Sequence, residues 1–157
     1  MGDSITQFWL LPDHNAGISG QTTAQMLARF NADVLGHGYS RVVILGGTDD
    51  VILLGSTSNM LGNLIANLSA MAAIAQTAGI EVVLCKLPPI IWEGHVFTAQ
   101  VTSANDAIAA LAEDRGYLLV DYYSPMLHHS EDFRDGVHPT VIGYAVMETA
   151  LAEVVVK

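Results

Sequence analysis

Arg41-Val42-Val43-Ile44-Leu45-Gly46 decides the fold. It is a short β-branched run that stops on glycine, and Ile80-Glu81-Val82-Val83-Leu84-Cys85 and Tyr117-Leu118-Leu119-Val120-Asp121 share its character. Nearly continuous apolar runs suit strands buried on both faces, as in a parallel sheet. Helical stripes lie around them. Met26, Leu27, Phe30 and Val34 form one, and Leu61, Leu64, Ile65, Leu68, Met71 and Ala75 a second. Ala104, Ile108, Leu111 and Ala112 form a third, and Val141, Tyr144, Ala145 and Leu151 a fourth. Gly79 and Gly116 stand where a helix gives way to a strand, and Pro139 where the last helix opens. Strand alternating with helix predicts an α/β fold, with right-handed crossovers and a parallel sheet between helical layers. The methionine-rich stretch from Met60 to Met71 belongs to the core.

Composition narrows the function classes. A chain of 157 residues without repeat or linker is expected to form one domain over residues 1–157. Hydrophobic residues make up 51% of it and charged residues 14%, which excludes a disordered or fibrous chain. Six Lys and Arg against sixteen Asp and Glu leave a net charge of −10, which repels nucleic acid and anionic membranes. Cys85 is the single cysteine and forms no internal disulfide. No apolar run approaches the ~20 residues that span a bilayer, and no basic leader precedes one. The chain reads as soluble, without membrane insertion and with no compartment assigned.

In open parallel sheets the ligand site lies at the carboxyl ends of the strands. Thr48-Asp49-Asp50, the segment after Pro88-Pro89, Ser124, and the Ser4 and Gly20 loops are expected to converge there. Three segments among them suit acyl transfer. In Gly2-Asp3-Ser4-Ile5-Thr6, a serine entering a helix exposes its Oγ and turns its own N–H toward a developing oxyanion; taken alone, a helix N-cap serine is the simpler reading. In Asp135-Gly136-Val137-His138-Pro139, the spacing lets the Asp135 carboxylate fold back on the His138 ring, leaving the other nitrogen as a base; a plain turn before a helix is the alternative. In Gly17-Ile18-Ser19-Gly20-Gln21-Thr22-Thr23 and Gly46-Gly47-Thr48-Asp49-Asp50, glycines allow close backbone approach and would let the Gly20 N–H serve as a second oxyanion donor; an ordinary strand-to-helix loop is the alternative.

In this order, and with Asp121-Tyr122-Tyr123-Ser124 and Gly143-Tyr144, these segments resemble the SGNH/GDSL hydrolases over nearly the whole chain. The resemblance implies a flavodoxin-like three-layer α/β/α sandwich, strand order 2-1-3-4-5, that hydrolyses carboxylic esters without a cofactor or metal. Ser4 would be the nucleophile, His138 the base and then acid, and Asp135 its orienting partner. The Ser4 and Gly20 N–H groups would form the oxyanion hole, with a side chain at position 49 as third donor. The expected partner is a small-molecule ester of short acyl chain, on an aryl or sugar alcohol.

Two features depart from the family pattern. The family places Asn where this chain has Asp49. An ionised carboxylate donates no hydrogen bond, so Asp49 predicts a weakened esterase unless burial or Asp50 keeps it protonated. The alternative is an impaired relative that binds an acylated or glycan ligand. The first strand is also truncated, since only Met1 precedes Gly2, and the span from Gln7 to Ala16 is short for a helix, a turn and a second strand. Upstream residues, an eroded sheet shored up by a homo-oligomer, or Val154-Val155-Val156 entering as a strand would each repair the sheet.

Trp92, His95 and Phe97 follow Pro88-Pro89 and are candidate walls of the substrate pocket; Trp9 poses the same question. His128-His129 with Glu131 and Asp132 lacks the spacing of a metal site and reads as a solvated loop. His14 and His37 carry no partner pattern.

Overall fold

The computed structural model describes residues 1–10, 14–55 and 59–155. Helix α1 (Ser4–Gln7) and helix α2 (Thr23–Val34) precede strand β1 (Arg41–Ile44). Helices α3 (Thr48–Leu54) and α4 (Met60–Thr77) lead to β2 (Glu81–Lys86). A small hairpin, β3 (Ile91–Trp92) and β4 (His95–Val96), comes before α5 (Thr98–Arg115), β5 (Leu118–Asp121), α6 (Tyr123–Met126) and α7 (Val141–Val155).

The three long apolar runs pair in parallel in the order β1-β2-β5, with Val42 opposite Val82 and Leu84 opposite Leu119. Beyond β1 the sheet continues as single residues. Gly2 bridges Leu45 on one side and Gly17 on the other, both in parallel. The spatial order is therefore Gly17, Gly2, β1, β2, β5, which is 2-1-3-4-5 with the first two strands reduced to bridges. The feared gap beside β1 is partly closed: Met1 N donates to the Val43 carbonyl at 2.9 Å, and Leu45 N to the Met1 carbonyl at 3.1 Å.

Side chains replace the absent ladder. The Arg29 guanidinium donates to the carbonyls of Gly2 and Ala16, both at 3.0 Å, and so ties the two residual strands to α2. Gly2 has no room for a side chain, because a Cβ there would lie 2.0 Å from Thr6 Oγ1 and 2.5 Å from the Leu45 carbonyl. Asn15 Nδ2 donates to the carbonyls of Thr6 and Trp9 that end α1.

Helices α2, α4 and α5 pack together, α4 and α5 against β2, and α7 against β5. Met26, Phe30, Leu64, Leu68, Met71, Ala104 and Ile108 are buried as their periodicity requires, and Met60 joins them. Helix α7 departs from expectation. It begins at Val141, not at Pro139, because Pro139 bridges Phe133 instead. Its buried positions are Gly143 and Met147, while Val141 is 87% exposed. Val154 and Val155 lie within this helix, so the tail does not supply a strand; Val156 lies outside the described residues. The stretch from Gln7 to Ala16 holds the end of α1 and no strand among its described residues, Leu11 to Asp13 being outside them. No helix among the described residues is long and apolar enough to cross a membrane.

Candidate active site

Ser4 is the first residue of α1, and the cap belongs to its neighbour: Asp3 Oδ1 accepts from the Ile5 N–H at 2.9 Å. The serine hydroxyl is thus free of the capping duty that its position suggested. Helix α1 is held from behind, where the Tyr144 hydroxyl donates to the Ile5 carbonyl at 2.8 Å and the Trp9 indole to Glu148 at 3.1 Å.

His138 arrives on a tight loop. Arg134 N donates to the His138 carbonyl at 2.8 Å, and Asp135 Oδ1 accepts from the N–H groups of Val137 and His138. Gly136 turns this loop at φ +88, where a Cβ would also strike the Ile91 carbonyl at 2.4 Å. The loop leaves Asp135 Oδ2 2.8 Å from His138 Nδ1, and His138 Nε2 3.0 Å from Ser4 Oγ. Residues 134 positions apart in sequence meet at the sheet edge. Burial works to raise the Asp135 pKa, but the hydrogen bonds from His138 and Val137 outweigh it and hold the carboxyl below its ordinary value. Asp135 is therefore an anion beside the imidazole, the arrangement that fixes a histidine tautomer.

The Gly20 loop reaches the same edge. Ile18 N donates to the Gly2 carbonyl at 3.1 Å and Ser19 N to Gln7 Oε1 at 2.6 Å, and Gly20 follows at φ +77 in an exposed turn. Asp49 and Asp50 start α3 with different environments. Asp50 is buried and fully engaged, accepting from Thr23 N and Thr23 Oγ1 at 2.7 Å each. Asp49 Oδ2 is buried with no hydrogen-bond partner among the described residues. Burial first, and the charge of Asp50 second, raise the Asp49 pKa, with His138 partly offsetting them.

A cavity of about 530 Å³ reaches His138 and is walled by Phe8, Trp9, Leu10, Arg134, Pro139 and Tyr144. The Phe8 ring meets the His138 ring edge-on at 5.8 Å. Trp92, His95 and Phe97 do not line this cavity. They belong to the hairpin and its exit, which turns on Glu93-Gly94 with both φ positive and is tied to the His138 loop by Ile91 N donating to the Gly136 carbonyl at 2.9 Å. Phe8 and Arg134 went unnoticed in the sequence, since a lone aromatic after a four-residue helix carries no pattern. Ser124 Oγ donates to Asp121 at 2.8 Å, and His129 pairs with Glu131 at 3.1 Å on the surface. Among the described residues no three His, Cys, Asp or Glu cluster as metal ligands would.

Ser4, His138 and Asp135 form one hydrogen-bonded line at the sheet edge. Residues 1–146 match the GDSL-like Lipase/Acylhydrolase family. This chain belongs to that family. A GDSL-like lipase from Bacteroides thetaiotaomicron is similar over 98% of this chain and 84% of its own, at 32% identity and a TM-score of 0.89. A Bacteroides fragilis protein described as an acylhydrolase is similar at 32% identity, covering 98% and 83%, with a TM-score of 0.86. An acetylxylan esterase from Geobacillus stearothermophilus shares the fold at 22% identity, covering 88% and 69%, with a TM-score of 0.76. Among curated proteins none matches the chain. The family is one of hydrolases, and ester hydrolysis is its chemistry.

Proposed function

We propose that this protein is a serine ester hydrolase acting on short acyl esters. One observation carries the reading: Ser4 Oγ lies 3.0 Å from His138 Nε2, with Asp135 on the opposite ring nitrogen. His138 takes the Ser4 proton as Oγ attacks the ester carbonyl carbon. The carbonyl oxygen becomes an oxyanion facing the Ser4 and Gly20 N–H groups. Collapse breaks the ester C–O bond, and the imidazolium returns its proton to the departing alcohol. Water then attacks the acyl-enzyme by the same route, releasing the carboxylic acid and restoring the Ser4 hydroxyl. Asp135 keeps the proton on Nδ1, which leaves Nε2 as the acceptor.

The cavity beside Phe8, Leu10 and Tyr144 suits an acetyl or butyryl group or the alcohol it leaves, on an aryl or sugar ester. Hydrolysis of p-nitrophenyl acetate and of an acetylated xylo-oligosaccharide tests the reading. Turnover abolished by Ser4→Ala supports it, and equal rates in both proteins refute it. One observation favours a second reading, a ligand-binding relative with little turnover: Asp49 offers no donor while ionised. Saturable binding of the acetylated sugar without Ser4-dependent hydrolysis would establish that reading.

A further inference from the structure

Basic side chains are scarce in this chain, six against sixteen acidic ones, and nearly all those described are occupied. Arg29 and Arg41 hold Asp33 and Glu81, Lys86 lies 3.2 Å from Asp121, and Arg115 lies 2.9 Å from Asp114. Arg134 is the exception. Among the described residues its guanidinium donates no hydrogen bond, and its one ionic neighbour, Asp135 Oδ2, stands 3.8 Å from Nε. Asp135 is already engaged by the His138 ring and by the N–H groups of Val137 and His138. The guanidinium therefore has its donors to offer elsewhere, and it offers them at the site. Its side chain is 64% exposed and lines the cavity that reaches His138. Arg134 Cζ lies 6.0 Å from the centre of the Phe8 ring, which itself meets His138 edge-on at 5.8 Å.

The place of the cavity says which part of a substrate would fill it. His138 lines it, whereas Ser4, Gly20 and Asp49 do not. In acyl transfer the acyl carbon sits on the serine, and the imidazolium returns its proton to the departing alcohol, which must leave on the histidine side. Walls from Phe8, Leu10 and Pro139 suit an apolar ring, and a guanidinium at the mouth suits an anion on that ring. Glu148, the other charged group in the cavity, accepts from the Trp9 indole at 3.1 Å and has no donor to give.

We propose that this cavity is the subsite of the leaving alcohol and that Arg134 selects alcohols carrying a carboxylate, so that the preferred substrates are esters of hydroxy acids. The chemistry rests on the ester-hydrolase reading; the capture of a carboxylate by Arg134 does not. A planar guanidinium presents parallel N–H groups that match the two carboxylate oxygens. Because the side chain is largely exposed, water and salt weaken the contact, and the discrimination is moderate and salt-dependent.

The test compares 4-acetoxybenzoate with the neutral 4-acetoxybenzamide, following release of the phenol and dividing each rate by that of uncatalysed hydrolysis. In the natural sequence kcat/KM should favour the acid by about tenfold at low ionic strength, chiefly through KM. The ratio should fall toward unity in ~1 M salt. Arg134→Gln should abolish it, and Arg134→Lys should retain part of it by keeping the charge without the fork. Equal efficiencies for the two substrates, with turnover that depends on Ser4, overturn the proposal and leave the ester-hydrolase reading standing. A preference that survives in Arg134→Gln overturns it as well. So does a preference found for mono-p-nitrophenyl glutarate over p-nitrophenyl butyrate and not for the acetoxybenzoate, since that places the carboxylate on the acyl side. If turnover does not depend on Ser4, titration of the intact protein with 4-hydroxybenzoate and 4-hydroxybenzamide, read by NMR, tests the subsite alone. Tighter binding of the acid, lost in Arg134→Gln, upholds the subsite while refuting the ester-hydrolase reading; equal binding overturns both.

Discussion

At their carboxyl ends the strands carry Ser4, the Gly20 turn, Asp49 and, through the α7 entry loop, His138, with Ser4, His138 and Asp135 joined by hydrogen bonds of 3.0 Å or less. Toward its amino end the same sheet is open. The outer edge of β1 borders a groove of about 940 Å³ between Val42, Val43 and Met1 on one wall and Trp9, Val34 and Leu151 on another. The contrast separates two requirements. A parallel sheet is stabilised by the length of its ladders, but a site at its edge needs only that the last residue of each strand be placed correctly. Met1 and Gly2 meet the second requirement with one bridge on each side and an arginine bracket.

Predictions that break or sharpen this contrast fall in order of size. Ser4→Ala should lower ester turnover by on the order of 10³-fold or more with stability unchanged, since its hydroxyl serves the site and not the cap. Asp49→Asn should raise turnover at neutral pH by ~10²–10³-fold, the usual worth of one oxyanion donor; an unchanged or lower rate would mean position 49 does not face the oxyanion. Gly2→Ala strikes where the well-built and open regions join. Its Cβ would meet the Leu45 carbonyl at 2.5 Å, and unfolding by urea should register a loss of about 3 kcal/mol together with activity. Arg29→Met keeps the stem but drops the two carbonyl contacts of the bracket, and should cost about 2 kcal/mol in the same measurement. Ile142→Ala, at an exposed position of α7 outside the cavity, serves as the control that changes neither.

Stability should also depend on pH. The Asp3 carboxyl goes from an ordinary 3.8 to about 7 on folding, so the folded chain binds its proton more tightly than the unfolded one. Its contribution is then full below 3.8, declines as pH rises, and is gone above about 7. Urea unfolding across that interval should show the decline, and Asp49→Asn should flatten it by removing the second cause of the shift.

Much of this was legible because local chemistry announces itself. The three strand runs, the stripes of α2, α4 and α5, and Asp135-x-x-His138 each rest on spacings that hold in any context. The fourth stripe misled because α7 is apolar nearly all round, so periodicity could not say which face packs. Pro139 looked like a helix start, yet its bridge to Phe133 moved the start to Val141. The Trp92–Phe97 segment is aromatic, but its hairpin packs against the Gly136 turn and does not line the cavity beside His138. Phe8, on the His138 ring, left no trace in any pattern.

By itself the sequence determined the alternation of strand and helix, the family, and which side chains could do acyl chemistry, because hydrophobic period and residue type act over a few neighbours. The tertiary structure alone decided that one glycine can stand in for each of two strands, that Asp3 and not Ser4 caps the first helix, and that one oxygen of Asp3 and one of Asp49 are buried without a hydrogen-bond partner among the described residues. Those outcomes depend on contacts between segments distant along the chain, whose energies exist only once the layers have closed on one another.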